Sequence, residues 1–120
     1  MNTTENRTGY KALIAAVAIN EGQRVKINAG AWDVAAAADL AAGVATHAAA
    51  AGEVLTVKLF NAPGTFIMRA NAPIAAGAQI YPATNGNIDD AGTTPLPLVA
   101  LEAATAAGDL IEVSPALKGA

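Results

Sequence analysis

Short runs of alternating apolar and polar residues recur along this chain, and glycine, proline or asparagine separates each run from the next. The clearest run covers residues 54–60 and ends at the segment Asn61-Ala62-Pro63-Gly64. Period-two alternation ended by turn residues is typical of β-strands. The same pattern predicts further strands at residues 11–19, 23–27, 32–34, 65–70, 79–81, 98–102 and 109–113.

The order of these runs and turns occurs twice, at an offset of 55 or 56 residues. Gly22 corresponds to Gly77, and the run 53–57 corresponds to 109–113. Other matching pairs are Ile19 and Ile74, Val25 and Ile80, Gly30 and Gly86, Asp33 and Asp89, Val44 and Val99, and Ala45 and Ala100. Because glycines mark fixed backbone bends, this agreement predicts a duplicated β unit.

Residues 34–42 favour a helix locally, because alanine has the highest helix propensity. Their counterpart, residues 90–97, contains Gly92, Pro95 and Pro97, which an α-helix does not accommodate. If the two copies share a fold, any helix here is at most a turn or two long. The sequence therefore predicts an all-β small barrel or sandwich built from two duplicated halves, with little helix.

Three segments are predicted along the chain. Residues 1–9 have no aliphatic side chain after Met1 and are rich in Asn and Thr, so we expect a flexible N-terminal arm. Residues 10–113 form the β-rich domain, and residues 114–120 form a short, exposed C-terminal tail.

Composition restricts both the core and the partners. Hydrophobic residues make up 53% of the 120 residues but aromatic residues only 4%, so an alanine-rich core buries little area per residue. We therefore expect self-association or docking on a partner to add stability. The net charge of −3, without a basic cluster, argues against a nucleic-acid surface.

Two further features bear on the compartment. The chain has no cysteine, which rules out disulfides and thiolate metal sites. The apolar run at residues 12–19 is shorter than the roughly 20 residues of a membrane span, and no signal-peptide pattern precedes it. We expect a soluble intracellular product with no membrane association.

Residues able to carry catalysis are few and scattered. His47 is the only histidine and Ser114 the only serine, and neither lies in a nucleophile motif. Asp89 and Asp90 are adjacent and fit a turn better than an acid–base pair. The glycines near Asn85 fit turns rather than a phosphate loop. The sequence predicts that the protein is not an enzyme and has no cofactor or metal.

Two aromatic residues are candidates for contacts. Trp32, the only tryptophan, fits either an interface anchor or the main core residue, and its counterpart Ile88 leans towards the core. Tyr10, where the arm meets the domain, is the better candidate for a docking contact.

Most of the chain, from about residue 11 to 113, resembles the small capsid decoration proteins of tailed bacteriophages, also called cement or head-stabilising proteins. The resemblance rests on residues 64–70, 73–81, 85–88 and 99–113. It implies a homotrimer on the outer capsid surface of the virion, made in the host cytoplasm, that bridges neighbouring copies of the major capsid protein and stabilises the shell.

In several such proteins an N-terminal arm becomes ordered against the capsid. The resemblance therefore suggests capsid contacts at Asn2, Thr3, Thr4, Arg7 and Tyr10, for example by addition of a strand to a capsid sheet. The alternative interpretation is a surface-exposed carbohydrate-binding or adhesin-like β module. Such a site usually needs exposed aromatic residues, and one Trp and two Tyr leave little to build it.

Overall fold

The computed structural model describes residues 8–116 and is nearly all β, as the sequence predicted. A three-residue 3-10 turn covers Thr84–Gly86. The strands are β1 (Tyr10–Ile14), β2 (Arg24–Asn28), β3 (Ala31–Val34), β4 (Gly43–Ala45), β5 (Val54–Leu59), β6 (Phe66–Arg69), β7 (Tyr81–Pro82), β8 (Ile88–Asp89), β9 (Leu98–Ala100) and β10 (Leu110–Pro115).

The strands form two units, unit 1 (residues 8–62) and unit 2 (residues 63–116). Unit 1 is a five-stranded antiparallel sheet with the order β1-β5-β4-β2-β3. Its two edge strands meet where Ala15 bridges Trp32, so the sheet curls into a small barrel. In unit 2 the order is β6-β10-β9, with the β7-β8 pair joined by a bridge from Gln79 to Val99.

Strand register confirms the duplication residue by residue. Leu13 pairs with Leu55 in unit 1, and their counterparts Met68 and Ile111 pair in unit 2. The turn glycines behave alike: the Gly22 amide donates to Ala45 O at 2.9 Å, and the Gly77 amide donates to Ala100 O at 2.8 Å. Both glycines have a φ of +84°, which glycine adopts without strain.

Each unit has its own core, and the two cores are built from corresponding positions. The core of unit 1 consists of Ala15, Ile19, Val25, Trp32, Ala45, Ala49, Leu55 and Val57. Their counterparts 55 or 56 residues later, Ala70, Ile74, Ile80, Ile88, Ala100, Ala104, Ile111 and Val113, all belong to the core of unit 2. Val44 of unit 1 also packs in the core of unit 2, which ties the units together.

The alanine-rich segment forms no helix. β3 ends at Val34, and both ends of the following loop are fixed to β2. The Ala35 amide donates to Arg24 O at 3.0 Å, and the Ala42 amide donates to Val25 O at 2.8 Å. Because these tertiary hydrogen bonds bring the two ends together, they override the local preference of alanine for helix.

Backbone pairing holds both ends of the described residues. Gly9, assigned to the arm, is buried, and its carbonyl accepts a hydrogen bond from the Leu59 amide at 2.7 Å. Residues 1–7 lie outside the described residues. At the other end, β10 continues two residues beyond the predicted strand, because Ser114 and Pro115 pair with β9.

The two units contact each other through different surfaces. The Arg69 amide of unit 2 donates to Gly22 O of unit 1 at 3.0 Å. Two side chains of unit 1 donate in return: Arg24 from Nη2 to Ala83 O at 2.8 Å, and Gln23 from Nε2 to Asn85 O at 2.7 Å. We call this contact the joint.

Candidate docking surface

An apolar groove of about 550 Å³ lies where the two units meet. One wall is the loop 35–42 of unit 1, and the other is the segment 94–98 of unit 2. These segments are counterparts in the duplication. The lining residues are Arg24, Ala37, Ala38, Asp39, Leu40, Ala41, Phe60, Pro82, Thr94, Leu96, Pro97, Leu98 and Pro115.

Leu40 is held at the rim of this groove with 96% of its surface exposed. The residue before it, Asp39, fixes the turn: its Oδ2 accepts the Ala36 amide at 2.8 Å and Lys26 Nζ at 2.7 Å. The Asp39 amide donates to Ala36 O at 3.1 Å. A large apolar side chain is thus presented to solvent on a loop with defined hydrogen bonds.

Charge at this edge of the groove is already paired. The hydrogen bond from Lys26 and then that from the Ala36 amide hold the pKa of Asp39 below its ordinary value. The same hydrogen bond raises the pKa of Lys26. Arg24 lies beneath, 1% exposed, and burial lowers its pKa. Both members of the pair, and Arg24, are charged at neutral pH.

The opposite wall is a proline-containing segment fixed to unit 2. The Leu96 amide donates to Ile80 O at 2.8 Å, and the Ala116 amide donates to Pro97 O at 3.0 Å. Proline restricts the backbone further, so this wall has little conformational freedom. Phe60 contributes an aromatic surface to the groove, and its ring centroid lies 5.4 Å from that of Phe66.

The lining of the groove suits apolar contact better than catalysis. Its polar side chains are Arg24, Asp39 and Thr94. Arg24 is engaged with backbone carbonyls of unit 2 and Asp39 with Lys26. Neither side chain is therefore free to transfer a proton to or from a substrate, as acid–base catalysis requires. What remains available is apolar surface of the kind that receives a side chain of another protein.

The predicted contact residues have different outcomes. Asn2, Thr3, Thr4 and Arg7 lie outside the described residues. Tyr10 begins β1 opposite Lys58, is exposed, and lines a cavity of about 220 Å³ together with Val44 and Phe66. Trp32 is fully buried in the core of unit 1, so of its two interpretations the structure places it in the core.

The other residues with chemical potential have structural contacts. His47 is exposed, and its Nε2 accepts a hydrogen bond from the Thr56 amide at 3.2 Å. Ser114 lies on β10 and donates to Pro115 O at 3.0 Å. Asp89 Oδ1 accepts the Asp90 amide at 2.8 Å, as a turn-forming aspartate does. Each therefore stabilises its local backbone.

Sequence reasoning missed two residues that define this region, Arg24 and Leu40. Arg24 stood in the alternating run 23–27 like any charged strand residue, and its burial depends on contacts about 60 positions away, which no local pattern shows. Leu40 did carry a signal, because it is the one large apolar side chain in the alanine-rich loop.

Within residues 8–116 no group of three or more His, Asp or Glu side chains is placed to hold a metal ion. In the same part of the chain no helix is long and apolar enough to cross a bilayer. The sequence matches none of the known protein families and none of the curated proteins with which it was compared.

Proposed function

We propose that this protein is a structural virion protein that binds the outer surface of a phage capsid as a homotrimer and bridges neighbouring copies of the major capsid protein. The observation that carries the proposal is Leu40, almost fully exposed at the rim of an apolar groove between two fixed walls. The resemblance to capsid decoration proteins supports the choice of the major capsid protein as the partner.

The groove supports protein docking in energetic terms. Transfer of apolar surface from water contributes about 25 cal/mol per Å², and both walls are fixed by backbone hydrogen bonds before binding. Little ordering entropy therefore opposes the contact. A homotrimer would present three such grooves to one lattice, so modest individual contacts would give tight retention.

The placement of aromatic residues favours this function over carbohydrate binding. Sugar sites use exposed aromatic faces, but Trp32 is buried in a core, and Phe60 and Tyr81 are half-buried. Tyr10 is exposed at the start of β1. A carbohydrate-binding or adhesin-like module remains the second candidate only through this residue.

Co-sedimentation with empty capsids assembled from the partner major capsid protein tests the proposal. We expect binding to saturate at a fixed ratio of three chains per capsid site. Soluble glycans should not compete. Leu40→Asp should weaken binding by about tenfold or more, since each decade corresponds to 1.4 kcal/mol.

A matched control is Leu101→Asp, which places the same charge on another exposed leucine outside the groove. Both variants should keep the circular dichroism spectrum of the parent protein. Failure of the parent protein to bind capsids, or competition by glycans, would overturn the proposal. Equal loss of binding in both variants would exclude the groove as the contact.

A further inference from the structure

Each of the two duplicated units has the same two surfaces, and the joint uses one surface of unit 1 and the other surface of unit 2. One surface of each unit is therefore left free. We call the surface around Gly22, Arg24 and Val44 of unit 1 the front surface. Its counterpart in unit 2 lies around Gly77, Gln79 and Val99. The back surface contains Arg69, Pro82, Gly86 and Leu110 in unit 2, and their counterparts Ile14, Ile27, Gly30 and Val54 in unit 1. In the joint, the front surface of unit 1 covers the back surface of unit 2.

Glycines on the two kinds of surface show which are occupied. A Cβ atom on Gly22 would lie 2.7 Å from Leu110 Cδ2, and one on Gly86 would lie 2.7 Å from Arg24 O. A Cβ atom on either of the corresponding glycines, Gly77 or Gly30, would meet no atom of the described residues within 4 Å. The same backbone shape is therefore closely covered in one place and open in the other.

The free back surface of unit 1 is apolar. Ile14, Ile27 and Val54 are 45%, 55% and 58% exposed, and Ile14 and Val54 are paired across β1 and β5. Their counterparts in unit 2 lie at the joint. The exposed pair of Ile14 and Val54 forms an apolar patch of the kind that another protein covers.

The backbone at this surface matches the joint as well. Gly9 O accepts the Leu59 amide of β5, and the Ala15 amide donates to Glu53 O just before β5, so alternation along β1 directs the Ile14 amide away from β5. The amide of its counterpart, Arg69, points the same way from β6 and donates to Gly22 O. The Ile14 side chain is 45% exposed, and a Cβ atom on Gly77, the counterpart of Gly22, would meet no atom of the described residues within 4 Å.

We infer that a second copy of this chain binds here, with the front surface of its unit 2 on the back surface of unit 1. The contact repeats between chains the joint that already exists within one chain. It is heterologous, so successive copies join head to tail and form a closed ring where the rotation permits. This inference names the contact that would build the homotrimer of the proposed function, and it rests on the duplicated fold rather than on capsid binding.

Two residue differences between the front surfaces of the two units make the contact between chains weaker than the joint. Gln79 stands where the front surface of unit 1 has Arg24, and Ala78 stands where it has Gln23. The intermolecular contact thus lacks the guanidinium that binds two backbone carbonyls in the joint. Gln79→Arg should restore that donor and strengthen self-association.

Sedimentation velocity over a range of concentrations tests the inference on the full chain. We expect reversible association of the parent protein, weakened about tenfold or more by Ile14→Glu on the back surface and by Gln79→Glu on the front surface. Gln79→Arg should strengthen it by a similar factor. Ile67→Glu, on an exposed isoleucine outside both free surfaces, should leave it unchanged. Val54→Glu replaces Ile14→Glu if that variant does not fold.

Mixing the two weakened variants distinguishes head-to-tail contact from a symmetric one. The intact front surface of Ile14→Glu can bind the intact back surface of Gln79→Glu, so the mixture should form heterodimers that neither variant forms alone. A monomeric parent protein at all concentrations would overturn the inference. Association that both charge variants leave intact, or a mixture without heterodimers, would do so too.

Discussion

Arg24 Nη2 donates to the carbonyl of Ala83 at 2.8 Å, and this bond joins two units that the sequence encodes as copies of one another. Arg24 Nε also donates to Asn87 O at 3.3 Å. The guanidinium is buried, and these carbonyls replace the water that it loses on folding. Arg24 of unit 1 therefore donates hydrogen bonds to two backbone carbonyls of one turn in unit 2.

Arg24→Gln should lower the free energy of unfolding by about 2–4 kcal/mol, because hydrogen bonds to charged groups contribute about 1.5–3 kcal/mol each and the carbonyls stay buried. Urea denaturation followed by circular dichroism measures the loss. The matched control is Gln79→Met, at the exposed counterpart, which should change stability by less than about 0.5 kcal/mol. Equal effects at the two positions would show that the guanidinium does not stabilise the joint.

The glycine pair gives a second test of the joint. Gly22→Ala and Gly77→Ala place the same methyl group at a φ of +84° in both units. Gly77→Ala should cost about 1–2 kcal/mol of stability from backbone strain alone. Gly22→Ala should cost about 1–3 kcal/mol more, because its Cβ would press on Leu110 and lie 3.0 Å from the Arg69 amide nitrogen.

Thermal melting of the two glycine variants, run side by side with the parent protein, gives this difference. Identical melting temperatures would mean that the methyl group at Gly22 is accommodated by movement of Leu110, and that the approach of the units at this point is not tight.

The duplication was predictable because turn glycines and core positions are local features that recur in sequence. Gly22 and Gly77, and Ile19 and Ile74, could be matched without knowing what they contact. Pro95 and Pro97 likewise excluded a long helix in the segment that corresponds to the alanine-rich loop. Periodicity and backbone restrictions therefore sufficed for the all-β class and the two-unit organisation.

Strand pairing and the joint were not predictable in this way. β5 and β6 follow each other across a Pro-Gly turn, yet β5 pairs with β1 and β4 while β6 pairs with β10. In the sequence, a Pro-Gly pair that separates two units looks the same as one that closes a β-hairpin. The burial of Arg24 depends on how the two units meet, and no residue near it in sequence reports that arrangement.

Acid should weaken the fold in part through Asp109. The Thr105 amide and hydroxyl and then the Ala106 amide donate to its carboxylate, which lowers its pKa in the folded state. A depressed folded pKa gives stability that is present above the unfolded value of about 3.9. That stability is lost as the pH falls through the folded pKa.

Asp109→Asn should therefore melt below the parent protein at neutral pH, and the difference in melting temperature should shrink as the pH falls below about 4. Asp90→Asn, at an exposed acid, serves as the control and should show a smaller difference at neutral pH. A difference for Asp109→Asn that stays constant between neutral and acid pH would show that ionisation of Asp109 does not stabilise the fold.

Two N-terminal deletions, one ending before Gly9 and one including it, should separate effects on folding from effects on binding. A Cβ atom on Gly9 would overlap the Cβ of Ala62, and the Gly9 carbonyl accepts a hydrogen bond from the Leu59 amide. Deleting residues 1–7 keeps these contacts, so the melting temperature should stay almost unchanged. Deleting residues 1–9 removes them and should cost about 1–3 kcal/mol, the penalty of a lost partner for a backbone amide.

Capsid binding should respond differently from stability in this series. If Asn2, Thr3, Thr4 and Arg7 contact the capsid as proposed, the 1–7 deletion should bind capsids about tenfold or more weakly, although it folds normally. Adding the substitution Leu40→Asp to that deletion should then weaken binding further, because the groove contact is lost as well. Unaltered capsid affinity of the deletion would assign the whole contact to residues 8–120 and leave the groove around Leu40 as the principal docking surface.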